Sequence, residues 1–502
     1  MSDGLGNTGN GRAHLRRAQH GEPVPNRRVK RPHYENERTG PIERVDERDV
    51  MFARTDLFRS FPEGSPERDE YYSAHPDALE YDRRAAEELR LGSTGGDYEI
   101  FCAAPFGVCR AVAREEFVEG EPAAARAALT PEEATRRVKA MALVLGADLV
   151  GTGPLRPEWV YSHVGRSFGN AEGFPGWGEP VDLSRHTDAV SMGFRMDHDF
   201  VAAAPEFPTV VATSVAYAIG AHAAVRLARY IRSLGYSARA HHVYSYRVLP
   251  VPIAVDCGLG ELSRAGFLMT KELGLGLRLG TVTTDLPLAH DDPVDVGIQS
   301  FCERCEICAD YCPSKSIPKG PKTEHNGVLK WKLDEEGCYR YWSVVSTDCS
   351  VCMSTCPWTK PPTWIHRALT FVATFSGPHQ SLMVLAEKLF YGRPDKRGRG
   401  RREGLVSLRP TRLRAHMRVL GAAMVVLACA GLLWGSAGLS PAGQGATLTP
   451  VRWLGYLVWL AWTLLGAATV WTFLAERTVR PALVALAAFG AVSAVLGAVL
   501  VW

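Results

Sequence analysis

Almost no apolar residue recurs at regular spacing over the first 50 positions, where Gly, Asn, Arg and Pro predominate. So little apolar surface cannot offset the entropy of ordering, which predicts a disordered or loosely draped arm over 1–50. Residues 51–129 are mostly helical by pattern. A helix start then stands out: Thr130 can cap, Pro131 suits the first helical position, Glu133 completes a capping box and Gly146 ends the run. ADLVGTGPL reads next as a short buried strand. A second helix runs from about Val211 to Leu234 ahead of Gly235, and SYRVLPVPIAV, between Tyr244 and Val255, reads as another extended run. Helix alternating with strand predicts an α+β or α/β core over 130–295.

Beyond this core the pattern changes three times. Residues 296–362 are rich in Cys and aromatics without regular periodicity, which suggests a small separate module. Residues 363–418 form a basic juxtamembrane segment: an amphipathic stretch, SLMVLAEKLFY, leads into a run with ten Lys or Arg and two acidic residues between Arg393 and Arg418. Three uncharged apolar segments follow at 419–438, 453–475 and 482–502. Each has about 20 residues, enough to cross roughly 30 Å of hydrocarbon at about 1.5 Å per residue, so three transmembrane helices are expected. The basic run before the first span puts residues 1–418 on the cytoplasmic face of the inner membrane in a multi-pass protein. A membrane flank accounts for that run, and no nucleic-acid partner is expected. The pairs Arg16–Arg17 and Arg27–Arg28 precede no apolar run, so no twin-arginine export signal is expected.

Composition narrows the class. With 502 residues, 46% hydrophobic and 22% charged, and a net charge of +3, the chain is neither wholly disordered nor collagen-like. Eight of its 12 cysteines fall between Cys302 and Cys356, a metal-site distribution that favours a reducing compartment over a disulfide framework. Cys302, Cys305, Cys308 and Cys312 stand as FCERCEICADYCP, the bacterial ferredoxin run whose fourth cysteine ligates the other cluster. Three successive two-residue gaps suit a tetrahedral zinc poorly. The second run, Cys338, Cys349, Cys352 and Cys356, has an irregular ten-residue first gap. Crossed ligation then predicts one [4Fe-4S] cluster on Cys302, Cys305, Cys308 and Cys356 and a second on Cys312, Cys338, Cys349 and Cys352. A [3Fe-4S] second cluster would not need Cys338. Cys102, Cys109 and Cys257 are expected to be small buried residues, and Cys429 inert in a span.

Upstream of the clusters stand VPIAVDCGLGEL and TVTTDLPL, with IRSLGYSA at 231–238. Together with the cysteine runs these segments resemble the reductive dehalogenases, corrinoid- and iron-sulfur-dependent oxidoreductases, and more distantly the epoxyqueuosine reductases. The resemblance covers about residues 130–360. It implies a nitroreductase-like α/β core holding a corrinoid (cobalamin) mostly by backbone contacts, with Tyr246, Gly258, Leu259, Gly260, Glu261, Thr283 and Thr284 as candidate binding positions. The D-x-H-x-x-G run of corrinoid proteins with a histidine ligand is absent, in keeping with a cobalt free of a protein ligand. The implied reaction passes electrons from a low-potential donor through the clusters to cobalt and cleaves the carbon–halogen bond of a small organohalide.

The resemblance also implies that a tyrosine protonates the carbon, aided by a nearby cation. Order along the chain selects Tyr161, in GPLRPEWVYSHVGR, ahead of Tyr246 and Tyr217. No Arg or Lys lies in TSVAYAIG (213–220), where the cation is expected, which leaves Arg166 or Arg195. His163, His198 and His222 could replace the acid or shape the pocket. Two other functions stay open: an epoxide-type deoxygenation on the same cofactors, and a membrane-anchored electron-transfer protein without corrinoid.

Overall fold

The computed structural model describes residues 27–88, 97–169, 171–361 and 363–390, all within one compact unit, Met1–Arg402. The three apolar segments at 419–502, Cys429 and the basic run from Arg393 lie outside the described residues.

The centre is a four-stranded sheet of β1 (Leu149–Pro154), β2 (Asp188–Arg195), β3 (Ala238–His241) and β4 (Leu277–Thr284), in the order β1-β2-β4-β3 with every pairing antiparallel. Asp188 pairs with Thr284 and Arg195 with Leu277, while His241 pairs with Thr281. An antiparallel sheet with helices packed on it makes the core α+β.

Helices α1 (Met51–Ser60) and α2 (Pro131–Val144) precede the sheet, and α3 (Pro208–Ser233) is the long core helix. Thr130 caps α2 as its sequence predicts, its Oγ1 accepting from Glu133 N at 3.2 Å. Gly146 and Gly235 take φ of +104° and +85° after α2 and α3, where a Cβ would be strained. One face of the sheet packs Val190, Met192 and Val282 against Val138, Leu227 and Ile231 of these helices. Among the described residues α3 is the one helix long and apolar enough to cross a membrane; its many buried residues pack here instead.

Two expectations are corrected. The run to Val255 is not extended: Pro250–Asp256 is a helix, because Pro250 sits at its first position and Ile253, Ala254 and Val255 turn onto the sheet's other face. A Cβ on Gly151 would collide with the Cys257 carbonyl, so the glycine lets strand and helix end meet. The N-terminal arm is docked from Arg27 onward, where Arg27–Arg28 pairs with Val294–Asp295 and buried Tyr34 donates to Asp256 Oδ1 at 2.5 Å.

Candidate redox and substrate site

Short helices present the cysteines. Cys302 lies in α4 (Ile298–Arg304) and Cys308 in α5 (Ile307–Tyr311), with Cys305 between them and Cys312 just after. Cys338 lies in α6 (Glu335–Val345); Cys349, Cys352 and Cys356 precede, lie in and follow α7 (Val351–Thr355). Ser346, Cys349 and Ser350 take φ of +54°, +60° and +53°. Such left-handed non-glycine residues concentrate at functional loops.

The eight cysteines fall into two groups. Cys302, Cys305, Cys308 and Cys356 line a cavity of about 310 Å³ with Phe301 and Trp358. Cys312, Cys338, Cys349 and Cys352 line a larger one of about 1150 Å³, part of it open to solvent. Burial pushes the Cys302 and Cys349 thiols up to about 12 and those of Cys338 and Cys356 to about 11; thiolate–iron bonding would offset that cost. Among the described residues no three His, Cys, Asp or Glu side chains close on the position of one ion. The first cavity has a buried indole N–H without a hydrogen bond, Trp358 Nε1, and at the second the Trp342 indole N–H is directed at the Cys338 thiol. Donors of that kind suit cluster sulfurs. Arg264, fully buried, braces the first group by donating to Cys302 O at 3.0 Å and to Pro318 O and Gly320 O at 3.0 and 2.9 Å.

The larger cavity is also lined by Phe52, Tyr217, Tyr246, Val251, Leu277 and Arg278. Its mostly apolar wall with a few polar groups suits a macrocycle such as a corrinoid.

Tyr246 is the predicted corrinoid residue that reaches this wall, its hydroxyl donating to Leu279 O at 3.3 Å. Tyr161 packs in the same apolar cluster as Tyr246 but is not among the cavity-lining residues. Burial, with a lesser contribution from Glu47, holds the Tyr161 hydroxyl above its ordinary value, while Arg166 acts in the opposite direction. Arg166 donates to Asp56 at 3.2 Å and lies 5.2 Å from the ring centres of Phe52 and Tyr244. The structure thus brings Tyr161, Tyr246 and Arg166 together. Arg195 is excluded from this cluster; its half-exposed side chain faces Asp148 at 3.6 Å.

Six predicted corrinoid positions are not brought to the cavity, because each is committed to the protein. A Cβ on Gly258 would meet the Asp292 carbonyl and one on Gly260 the Met269 carbonyl, while Leu259 is core. Glu261 Oε2 accepts from the amides of Val296 and Ile298 at 2.8 and 3.2 Å. Thr283 Oγ1 meets His186 and His241 at 2.8 and 2.9 Å, and Thr284 Oγ1 donates to Ser237 O at 2.6 Å. His163 faces Asp46 at 3.0 Å and His198 faces Asp199 at 3.6 Å; neither lines the cavity, nor does His222. Cys102, Cys109 and Cys257 are buried among apolar residues.

Residues 301–360 match the family described as a 4Fe-4S dicluster domain. The tetrachloroethene reductive dehalogenase of Sulfurospirillum multivorans is 34% identical over 271 residues, 48% of this chain and 53% of that protein. The relatives that match this chain over about half its length are reductive dehalogenases. The solved catabolic reductive dehalogenase NpRdhA, in complex with 3-bromo-4-hydroxybenzoic acid, aligns with a TM-score of 0.60 and 25% identity, covering 72% of this chain and 48% of its own. An epoxyqueuosine reductase of Lactococcus garvieae is 30% identical over a shorter stretch, 118 residues, 22% of this chain and 32% of that protein. The chain spans about half the length of the reductive dehalogenases it matches.

Proposed function

We propose that the chain is a corrinoid-dependent reductive dehalogenase of a small organohalide. One observation carries the reading: a single large cavity is bounded both by the cysteines Cys312, Cys338, Cys349 and Cys352 and by Tyr217, Tyr246 and Arg278. Electrons and a proton can therefore meet one substrate. The overall reaction adds two electrons and one proton, replaces a carbon–halogen bond by carbon–hydrogen and releases halide.

A bound corrinoid would supply a cobalt centre that takes up electrons singly and engages the halogen. Tyr246 and the apolar wall hold it and exclude water. Tyr161, packed behind the cavity wall in the apolar cluster of Tyr246, would give the proton to carbon once the occupied site opens past Tyr246 to its hydroxyl, since the Tyr246 hydroxyl is already engaged by Leu279 O and the charge of Arg166 steadies the Tyr161 anion. The cysteines would hold two [4Fe-4S] clusters, Cys302, Cys305, Cys308 and Cys356 one and Cys312, Cys338, Cys349 and Cys352 the other, and these would supply single-electron transfer from a low-potential donor. In this reading the core spans 130–295 and the dicluster module 296–362, and the three segments at 419–502 anchor the protein with its catalytic part on the cytoplasmic face.

Anaerobic reconstitution of the full chain in detergent with iron, sulfide and hydroxocobalamin, followed by metal counting and a halide-release assay with a chemical reductant, tests the proposal. About one cobalt and eight iron per chain with halide release is expected. Retained iron with no retained cobalt overturns it in favour of an electron carrier; both metals without halide release favours deoxygenation.

A further inference from the structure

The last two described helices, α8 (Trp364–Ala373) and α9 (His379–Phe390), pack against each other and turn an apolar stripe outward. On α9, Leu382, Leu385 and Leu389 recur at i, i+3 and i+7, share one face, and are 66%, 53% and 73% exposed. The opposite side is satisfied by the protein: Val384 is buried and Gln380 Nε2 donates to Ala373 O at 3.0 Å. On α8 and just past its end, Leu369, Val372 and Phe375 are exposed too, and Phe375 stacks edge-on against Phe371 at 5.2 Å. Isolated exposed apolar residues are ordinary, but a stripe continued across two neighbouring helices marks an interaction surface.

The chain itself indicates what covers it. Three residues after α9 ends, the run from Arg393 to Arg418 begins, with ten Lys or Arg against two acidic residues, and an uncharged apolar segment follows at 419–438. Basic residues are drawn to the surface of an anionic bilayer, and an outward leucine face buries into the boundary between headgroups and acyl chains. We infer that the outer face of α8 and α9 lies in the interface of an anionic lipid bilayer, an inference that rests on the membrane reading under Proposed function. The inner face of α9 packs on α4, which carries Cys302: Gln380 Nε2 donates to Ser300 Oγ at 3.2 Å. The surface therefore turns the first cysteine group towards the membrane, where a membrane-borne donor would deliver electrons.

The test places photoreactive benzoylphenylalanine at Leu385 or Leu389 of the full chain, with exposed Val144 of α2 as control, in nanodiscs of phosphatidylglycerol and phosphatidylcholine. Lipid adducts at 385 and 389 and none at 144 are expected, with the yield falling at least twofold in phosphatidylcholine alone. Adducts to residues 419–502 or to a second copy, or no lipid adduct, overturn the inference; an unchanged yield without phosphatidylglycerol overturns its anionic character. Alkaline carbonate extraction scores the spans separately. A chain that extracts yet makes lipid adducts loses the spans and keeps the docking face, and a chain that resists extraction without adducts does the reverse.

Discussion

Arg278 Nη2 lies 3.1 Å from Asp348 Oδ2, tying strand β4 of the core to the residue before Cys349. Thr213 donates to the same carboxylate oxygen and Thr209 to the other at 2.9 Å. The guanidinium sits 5.2 Å from the Tyr217 ring centre, so strand β4 brings a positive charge to the helix stretch 213–220, which carries none of its own. Removing one partner of a buried ion pair costs about 3–5 kcal/mol. Arg278→Met is expected to lower the melting temperature and, by removing a positive charge beside the cluster, to make the second cluster's midpoint potential more negative, with Arg278→Lys intermediate. An EPR-monitored redox titration checks this; an unchanged potential would reduce Arg278 to a packing residue.

The tyrosines separate by substitution. Tyr161→Phe is expected to lower halide release by about 10²–10⁴-fold while leaving cobalt retention intact, because it removes a proton donor and not a wall. Tyr246→Phe should weaken corrinoid retention and keep more of the rate. Cobalt content and halide release, measured on the same preparations, decide it; the reverse pattern would move the acid to Tyr246.

The legible parts were those carried by local chemistry. The capping of α2 by Thr130 and the stop at Gly235 follow from spacing, which short-range geometry enforces, and the division of the cysteines follows from the crossed ligation of the ferredoxin run. The helix at Pro250–Asp256 was hidden because an apolar run of that length suits a buried strand and a buried helix alike. Gly258, Gly260 and Glu261 carried the marks of a ligand loop, yet they serve close backbone approach and amide capping, which a glycine pattern does not distinguish from cofactor contact. Arg278, Asp348 and Arg264 were missed because each acts across 35 or more residues of sequence, and a lone Arg or Asp carries no sign of its distant partner.

Cys338 lines the same cavity as Cys312, Cys349 and Cys352 despite its irregular spacing. Replacing it with Ala should leave the first cluster untouched and convert the second to a three-iron form. The expected iron content is about seven per chain, with the EPR signal of an oxidised [3Fe-4S] cluster. A full eight iron in Cys338→Ala would remove it from the ligand set.

Acid sensitivity follows from the buried histidines. His242 lies between the carbonyls of Val243 at 2.8 Å and Val112 at 3.2 Å, and burial pushes its pKa down to about 4. An unfolded chain takes up that proton near pH 6.5, the folded protein only near 4, so between the two the unfolded state binds more protons and stability rises with pH. The contribution is complete above pH 6.5 and is lost as the pH falls towards 4, by about 3 kcal/mol over the whole window. His33, lowered to about 3, adds to the same trend. Chemical denaturation at pH 7 and pH 5 should therefore show a smaller loss of stability in His242→Gln than in the parent. Equal losses would mean that His242 titrates in the fold as it does in the unfolded chain.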